Sequence, residues 1–328
     1  MNKFFRQLFA IEKKPYRGLL AVEWAVLAYI AFTALLMLLL WTRLVNPISM
    51  VMFRVQVLAL TAGLWAVYRM VPCRLTLLVR LCCQVGLLGL WYPDTYEFNR
   101  LFSNLDHLFA QAEQSLFGFQ PALEFARHWS HPLVSELMSL GYVSYFPLIG
   151  LVVFYYFVKR YAELDLAVFV IMASFFMFYV VFIFLPVAGP QYYYQAIGLD
   201  QVAQGVFPDV GHYFEHHQEA LPIPGLGGGI FSDLVVQAHE AGERPTAAFP
   251  SSHVGVTVVL LWLAWRSGSK LLLFSLLPFA VLMFFATFYI QAHYVVDAIA
   301  GLLAGTLLYF VCQLLYGCFA QGRQSSRR

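Results

Sequence analysis

Apolar residues fall in eight long runs, at 18–41, 49–71, 75–92, 133–158, 166–187, 252–266, 271–290 and 293–315. A helix rises 1.5 Å per residue, so about 20 apolar residues cross a hydrocarbon core ~30 Å thick. Each run therefore predicts a membrane span, although Arg80 interrupts the third and the sixth is short. Between the third and fourth runs, Leu101, Leu105, Leu108, Phe109 and Leu116 recur at helical spacing, with Asp106, Gln111 and Glu113 among them. The pattern predicts an amphipathic helix within 101–130, lying on the membrane interface or packed as a loop helix. The stretch 188–250 is rich in turn formers (Pro222, Pro224, Gly225, Gly227, Gly228, Gly229) and is expected to act as a flexible lid.

Composition strengthens this picture. Residues of the set AVILMFWYC make up 61% of the 328 and charged residues only 12%, with mean hydropathy +0.70. Soluble domains carry about 25% charged residues. The chain is thus an all-α polytopic membrane protein; an ordinary soluble globule, a disordered chain and a nucleic-acid binder are excluded. The first run is too long for a signal-peptide core and reads as a signal-anchor span. Cys73, Cys82, Cys83, Cys312 and Cys318 show no disulfide or zinc spacing.

The cations give the orientation. With eight spans, 14 of the 20 Lys and Arg fall on one face: Lys3, Arg6, Lys13, Lys14, Arg17, Arg69, Arg74, Lys159, Arg160, Arg266, Lys270, Arg323, Arg327 and Arg328. The other face holds Arg43, Arg100, Arg127 and Arg244, and Arg54 and Arg80 lie within spans. Positive charge stays inside, so both termini are expected in the cytoplasm, with loops 93–132 and 188–250 on the extracytoplasmic face of an inner membrane or its equivalent. Trp91, Tyr92, Tyr142, Tyr145 and Tyr192–Tyr194 then sit near outer span ends, where interface anchoring is the default reading.

Chemistry concentrates in three segments on that outer side: LPVAGPQYYY at 185–194, FPSSHVG at 249–255 and YIQAHYVVDAIAG at 289–301. The sixth span enters and the seventh returns, so His253 and His293 are expected on one membrane face. His293 and Asp297 are four apart, one face of a helix, where the carboxylate can accept from one imidazole nitrogen and leave the other as a nucleophile. Ser251 and Ser252 open a helix whose free N–H groups favour an anion. A nucleophilic His, an orienting Asp, a second His for proton transfer and an anion cradle suit phosphoryl transfer. Taken singly, a His at a helix mouth is interfacial packing and an Asp in a span a partner for a polar neighbour; three ordered segments with agreeing topology reverse that weighting.

The set PSSH, then HYVVD, resembles the second and third signatures of the type 2 phosphatidic acid phosphatase superfamily. With Pro186–Pro190, the stretch 105–125 and SLGYVSYFPL at 139–148, it is most similar to the inositol phosphorylceramide synthase and sphingolipid phosphotransferase-like branch. The resemblance covers about 100–315. It implies a six-helix phosphatase-like core within a catalytic domain at 93–328, preceded by N-terminal spans at 1–92. It also implies His293 as nucleophile forming a phosphohistidine, Asp297 as its orienter, His253 as general acid/base and Ser251 on the phosphate. The family's usual basic residues are missing: Thr287 stands six before His293, and Gln191 and Gln291 stand where relatives place Arg. Ser252, Gln191, Gln291 and Arg244 are therefore the remaining phosphate-binding candidates, and the thinner positive charge suits a phosphodiester over a dianionic monoester.

The resulting expectation is an integral-membrane enzyme that cleaves a lipid-linked phosphate ester at the outer leaflet, without metal or other cofactor. Its substrate is a membrane lipid, and water or a second alcohol accepts the phosphoryl group. Inositolphosphotransferase-type transfer of a phospho-head group is the alternative to hydrolysis, and polyprenyl-pyrophosphate hydrolysis is less favoured. Two rivals come from other classes. HYFEH at 212–216 matches an inverted zinc-protease signature, with Glu240 and Glu243 as downstream ligands. Glu23, Arg54 and Arg80 within spans suggest a transporter path, unless they pair with one another.

Overall fold

The computed structural model describes residues 3–223 and 225–325, with backbone alone for 3–5, 239–242 and 319–325. Pro224, Arg327, Arg328 and the side chains of Glu240 and Arg323 lie outside the described residues. The chain runs as α1 (Lys3–Phe9), α2 (Ala21–Leu40), α3 (Pro47–Met70), α4 (Arg74–Gly86), α5 (Leu88–Asn99), α6 (Asp106–Phe117), α7 (Pro121–His128), α8 (Pro132–Val143), α9 (Tyr145–Lys159), α10 (Leu164–Phe184), α11 (Pro190–Ile197), α12 (Leu199–Ala203), α13 (Ile230–Gly242), α14 (Ser252–Arg266), α15 (Lys270–Tyr289) and α16 (Val295–Ser325). Among the described residues there is no strand, only one isolated bridge between Ile11 and Cys73. The all-α polytopic architecture is what the apolar runs predict.

Among the described residues six helical segments are long and apolar enough to cross a membrane, with a seventh if α8 and α9, bent by 45° at their junction, count as one span. The Ser144 hydroxyl bonds the Gly141 carbonyl (2.6 Å) at that bend, competing with the helical ladder. The remaining apolar run, the sixth along the chain, is α14, whose 15 residues rise only about 22 Å. Its start is set by Ser251, which accepts from Val254 N–H (3.4 Å). The run expected at 75–92 is α4 followed directly by α5, extending to Asn99.

The spans surround α10. In its apolar window 83% of residues are buried, against 22–39% in the other long spans. A helix apolar on every side belongs in the centre, and its neighbours keep an apolar face for lipid. Charges inside the N-terminal spans are closed. Arg80 pairs with Glu23, both fully buried, and Arg54 forks onto Asp94 (2.7 and 3.0 Å). Pairing removes the motive for a polar path through these spans.

Two expectations change. The aromatic residues assigned to an interface belt are packed inside: Trp91, Tyr193 and Tyr194 are fully buried, and Tyr142, Tyr145 and Tyr192 nearly so. Trp91 lies edge-on to Tyr29 and Phe53, and the Tyr193 hydroxyl bonds Pro208 O (2.8 Å). The hydroxyls of Tyr145, Tyr193 and Tyr194 bond protein oxygens, so burial wins over the interface. The stretch 188–250 contains three helices rather than an irregular lid. Of these, α13 rests on α8, with Glu136 accepting from the N–H groups of Phe231 (3.1 Å) and Ser232 (2.8 Å).

The segment 101–130 is also not a single interfacial helix. Gly118, at φ +79°, separates α6 from α7. On α6 the polar side faces inward: Asp106 and Glu113 are fully buried, while Leu108 (51%) and Leu116 (68%) are exposed.

Candidate active site

Close backbone approach brings the site together. A Cβ on Gly305 of α16 would lie 2.2 Å from the Gly255 carbonyl of α14, and one on Gly301 would lie 2.5 Å from the Ser251 carbonyl. These small residues let α14 and α16 touch along their backbones, which aligns their N-terminal ends. The three segments are then joined by main-chain bonds: Ala248 N–H to Val187 O (3.0 Å), Gln191 N–H to Gln291 O (2.9 Å) and Ser251 N–H to Asp297 O (3.0 Å).

At that junction His293 Nε2 lies 3.5 Å from His253 Nδ1. The two imidazoles, 40 residues apart, share one site. His253 is half-buried at the start of α14, stacked on Tyr142 (4.5 Å between centroids) and against Tyr145 (4.4 Å). His293 is buried in the turn 290–294 between α15 and α16. Its Nδ1 sits 2.7 Å from the Ala248 carbonyl oxygen. A carbonyl only accepts, so Nδ1 carries the proton and Nε2 presents its lone pair to His253. Burial holds the His293 pKa down to about 4, partly offset by the Ala248 bond and the charge of Glu243. The ring is neutral at physiological pH.

The expected orienter is displaced. Asp297 Oδ2 is 3.8 Å from His293 Nδ1 and instead accepts from Tyr294 N–H (2.8 Å). The four-residue spacing assumes a helix through both residues, but the helix begins at Val295. His293 precedes it, in a turn where Gln291 takes the left-handed φ of +60°. Asp297 thus stands at the third helical position and closes the start of α16 in the manner of a capping box. The group that fixes the His293 tautomer is the Ala248 carbonyl, which follows Ala247, itself at φ +69°. Two side-chain-bearing residues in this costly region flank the contact, a pattern typical of functional sites.

The remaining candidates divide. Ser251 is buried, its hydroxyl capping α14 and its N–H spent on Asp297. Ser252 lines a cavity of about 450 Å³ together with His253, Glu243, Tyr92, Tyr142 and Tyr145. Its other walls include the apolar Leu88, Phe146 and Phe175, and among the described residues no Lys or Arg lines it. Gln191 and Gln291 are buried, each with a side-chain oxygen lacking a hydrogen-bond partner. Gln291 also lines a second cavity of about 550 Å³ that includes Arg127 and Glu124. Arg244 donates to Gln218 Oε1 (2.6 Å).

The N-terminus of α16 is taken up internally. Besides Asp297 on Tyr294, Glu113 accepts from the N–H groups of Val295 (2.6 Å) and Val296 (3.3 Å). Burial, with Asp297 nearby, raises the Glu113 pKa to about 7, against the pull of those amides. The first amides of α16 are therefore spent on the protein's own carboxylates and offer little to an incoming anion.

Sequence reasoning passed over the Ala248 carbonyl, which carries no side-chain signal, and weighed Glu243 only as a metal ligand. Asp106 and Glu113 were legible as polar positions two turns apart, but their inward direction was not. The HYFEH segment forms a 3-10 turn at Tyr213–Glu215, with His216 81% exposed at its side chain. Among the described residues no group of three His, Cys, Asp or Glu side chains is placed to hold a metal ion.

Comparison with curated proteins and with solved structures finds no match to this chain. The sequence model of the PAP2 superfamily matches residues 107–311, a stretch containing all three segments and both imidazoles, and the chain belongs to that superfamily.

Proposed function

We propose that the protein is a membrane phosphotransfer enzyme in which His293 is the nucleophile and His253 the general acid/base, acting on a lipid-linked phosphate ester. Superfamily membership carries phosphatase-type activity on lipid phosphates in general. The observation that supports the finer reading most is the imidazole pair: Nε2 of His293, with its tautomer fixed by Ala248, points at His253 beside an amphiphilic cavity.

In this reading the His293 Nε2 lone pair forms a bond to phosphorus as the bond to the lipid oxygen breaks. Protonated His253 gives its proton to that leaving oxygen. The resulting phosphohistidine keeps its Nδ1 proton on the Ala248 carbonyl, with Asp297 close enough to stabilise the added positive charge. His253, now neutral, takes the proton of water or of an alcohol, whose oxygen attacks phosphorus and releases His293. Ser252 and the first-turn amides of α14 bind the phosphoryl oxygens. The hydroxyl of Ser251, Gln191, Gln291 and, once released from Gln218, Arg244 are further donors.

The transferase form, with inositolphosphotransferase-type transfer to a lipid alcohol as its version in the branch resemblance, draws on one observation. The cavity at His253 holds a carboxylate, Glu243, and no cation among its lining residues, an environment that favours a singly charged phosphodiester over a dianion. The site lies at the span ends away from Arg266 and Lys270, which supports an extracytoplasmic location with both termini cytoplasmic.

The test supplies the purified full chain with labelled phosphatidate-type monoesters, polyprenyl pyrophosphate and phosphodiester lipids, with and without alcohol acceptors. Release of phosphate marks hydrolysis and a new phospholipid marks transfer. No turnover of any lipid, with His253→Ala matching the unsubstituted protein in cells, overturns the proposal.

A further inference from the structure

We infer that Asp106 and Glu113, on a helix outside all three signature segments, are positioning residues that fix the 187–191 loop and the nucleophile turn against each other. What they position rests on the proposed function; how they do so rests on the geometry of α6.

Asp106 is fully buried, and both of its oxygens are used twice. Oδ1 accepts from Gly189 N–H (2.8 Å) and from the Tyr294 hydroxyl (3.0 Å). Oδ2 accepts from Ala188 N–H (2.6 Å) and from the Asn104 amide. Burial pushes its pKa up, and these donors pull it back. Only an ionised carboxylate offers acceptors for four donors at once. A single side chain therefore ties the first segment to Tyr294, the residue after His293. The loop it holds has no slack, since a Cβ on Gly189 would lie 2.4 Å from the Ala292 carbonyl, on the residue before His293.

Glu113 lies seven residues further, two turns along the same face of α6. It holds the amides of Val295 and Val296, the first two residues of α16. His293 is thus gripped through both of its neighbours in space: the Tyr294 hydroxyl by Asp106, and the helix start behind it by Glu113. Phe109, between the two acids, packs on Phe249 (4.8 Å) and Tyr294 (6.0 Å), which carries the hold to the second segment. A helix present only for packing would turn Leu108 and Leu116 inward; α6 turns its carboxylates inward and leaves those leucines outside.

The experiment compares the full chain with Asp106→Asn, Glu113→Ala, which removes the single oxygen that accepts from both amides, and the outer-face control Leu108→Ala. Asparagine keeps the shape of Asp106 but gives one acceptor oxygen and presents N–H to N–H. The expected result is a fall in kcat per folded molecule of about tenfold or more for each inner-face variant, with KM within about twofold, and no change for Leu108→Ala. A fold defect alone lowers the folded fraction and leaves kcat per folded molecule intact. Should Asp106→Asn fail to fold, Glu113→Ala carries the test, because it leaves the four Asp106 contacts in place. An independent readout needs no substrate: the downfield proton resonance of His293 Nδ1–H shifts or broadens in both inner-face variants. Unchanged kcat together with an unchanged resonance overturns the inference. Absence of turnover in the unsubstituted protein counts against the proposed function and leaves the resonance to decide this one.

Discussion

The N-terminal spans and the catalytic region both bury charge, and they handle it in opposite ways. In the spans each buried charge meets its opposite, Arg80 with Glu23 and Arg54 with Asp94. Around the imidazole pair, Asp106, Glu113 and Asp297 are buried with only amides and hydroxyls as hydrogen-bond donors. The paired charges hold helices together. The acids at the site spend their acceptors on backbone N–H groups, which stiffens loops at a cost in solvation that ion pairing does not offset. Polar atoms left over there, such as the side-chain oxygens of Gln191 and Gln291, suit a site that completes its bonding with a substrate.

The contrast breaks most visibly on substitution. His293→Ala or His253→Ala should lower turnover per folded molecule at least ~10³-fold, read from labelled-lipid assays normalised to the folded fraction. Arg80→Met should do the reverse, destabilising by about 3–5 kcal/mol because Glu23 is left buried and alone, while turnover per folded molecule stays. The double variant Glu23→Leu with Arg80→Met should recover most of that loss; equal damage from single and double variants would make the pair something other than a closed ion pair.

A smaller effect sharpens the electrostatic side. The folded His293 pKa of about 4 lies below the ordinary 6.5, so the unfolded chain takes its proton first. Its contribution to stability is complete above about 6.5 and is lost as pH falls toward 4. NMR of labelled histidines should show one imidazole neutral down to about pH 4, and titration of every imidazole near 6.5 would contradict the buried, carbonyl-bound geometry. The smallest effect is expected at the HYFEH segment. His212→Ala, His216→Ala and a zinc chelator should all leave turnover unchanged within assay error, which activity assays with added chelator check directly.

Much of this was legible in the sequence, for identifiable reasons. Span placement follows from apolar runs, because bilayer thickness fixes their length. The meeting of His253 and His293 follows from span parity and the short turn between α14 and α15. Gly301 and Gly305 are a visible small-residue pair, although which helix they admit is not. Three things were hidden. The carbonyl of Ala248 has no side-chain signature. The start of α16 at Val295, two residues after His293, depends on the turn at Gln291 and undoes the helical pairing of His293 with Asp297. The inward-facing carboxylates of α6 reverse the usual rule for amphipathic helices, because here the interior supplies backbone amides that donate to them.

The central claim is that His293 attacks phosphorus through Nε2. Rapid quenching of the purified chain with a phosphorus-labelled lipid substrate, followed by peptide mapping, measures it directly. The account predicts a base-stable, acid-labile phosphoryl group on His293 Nε2 of the unsubstituted chain that is absent from His293→Ala. Turnover of the lipid with no label on the chain, or with the label on another residue, would contradict it.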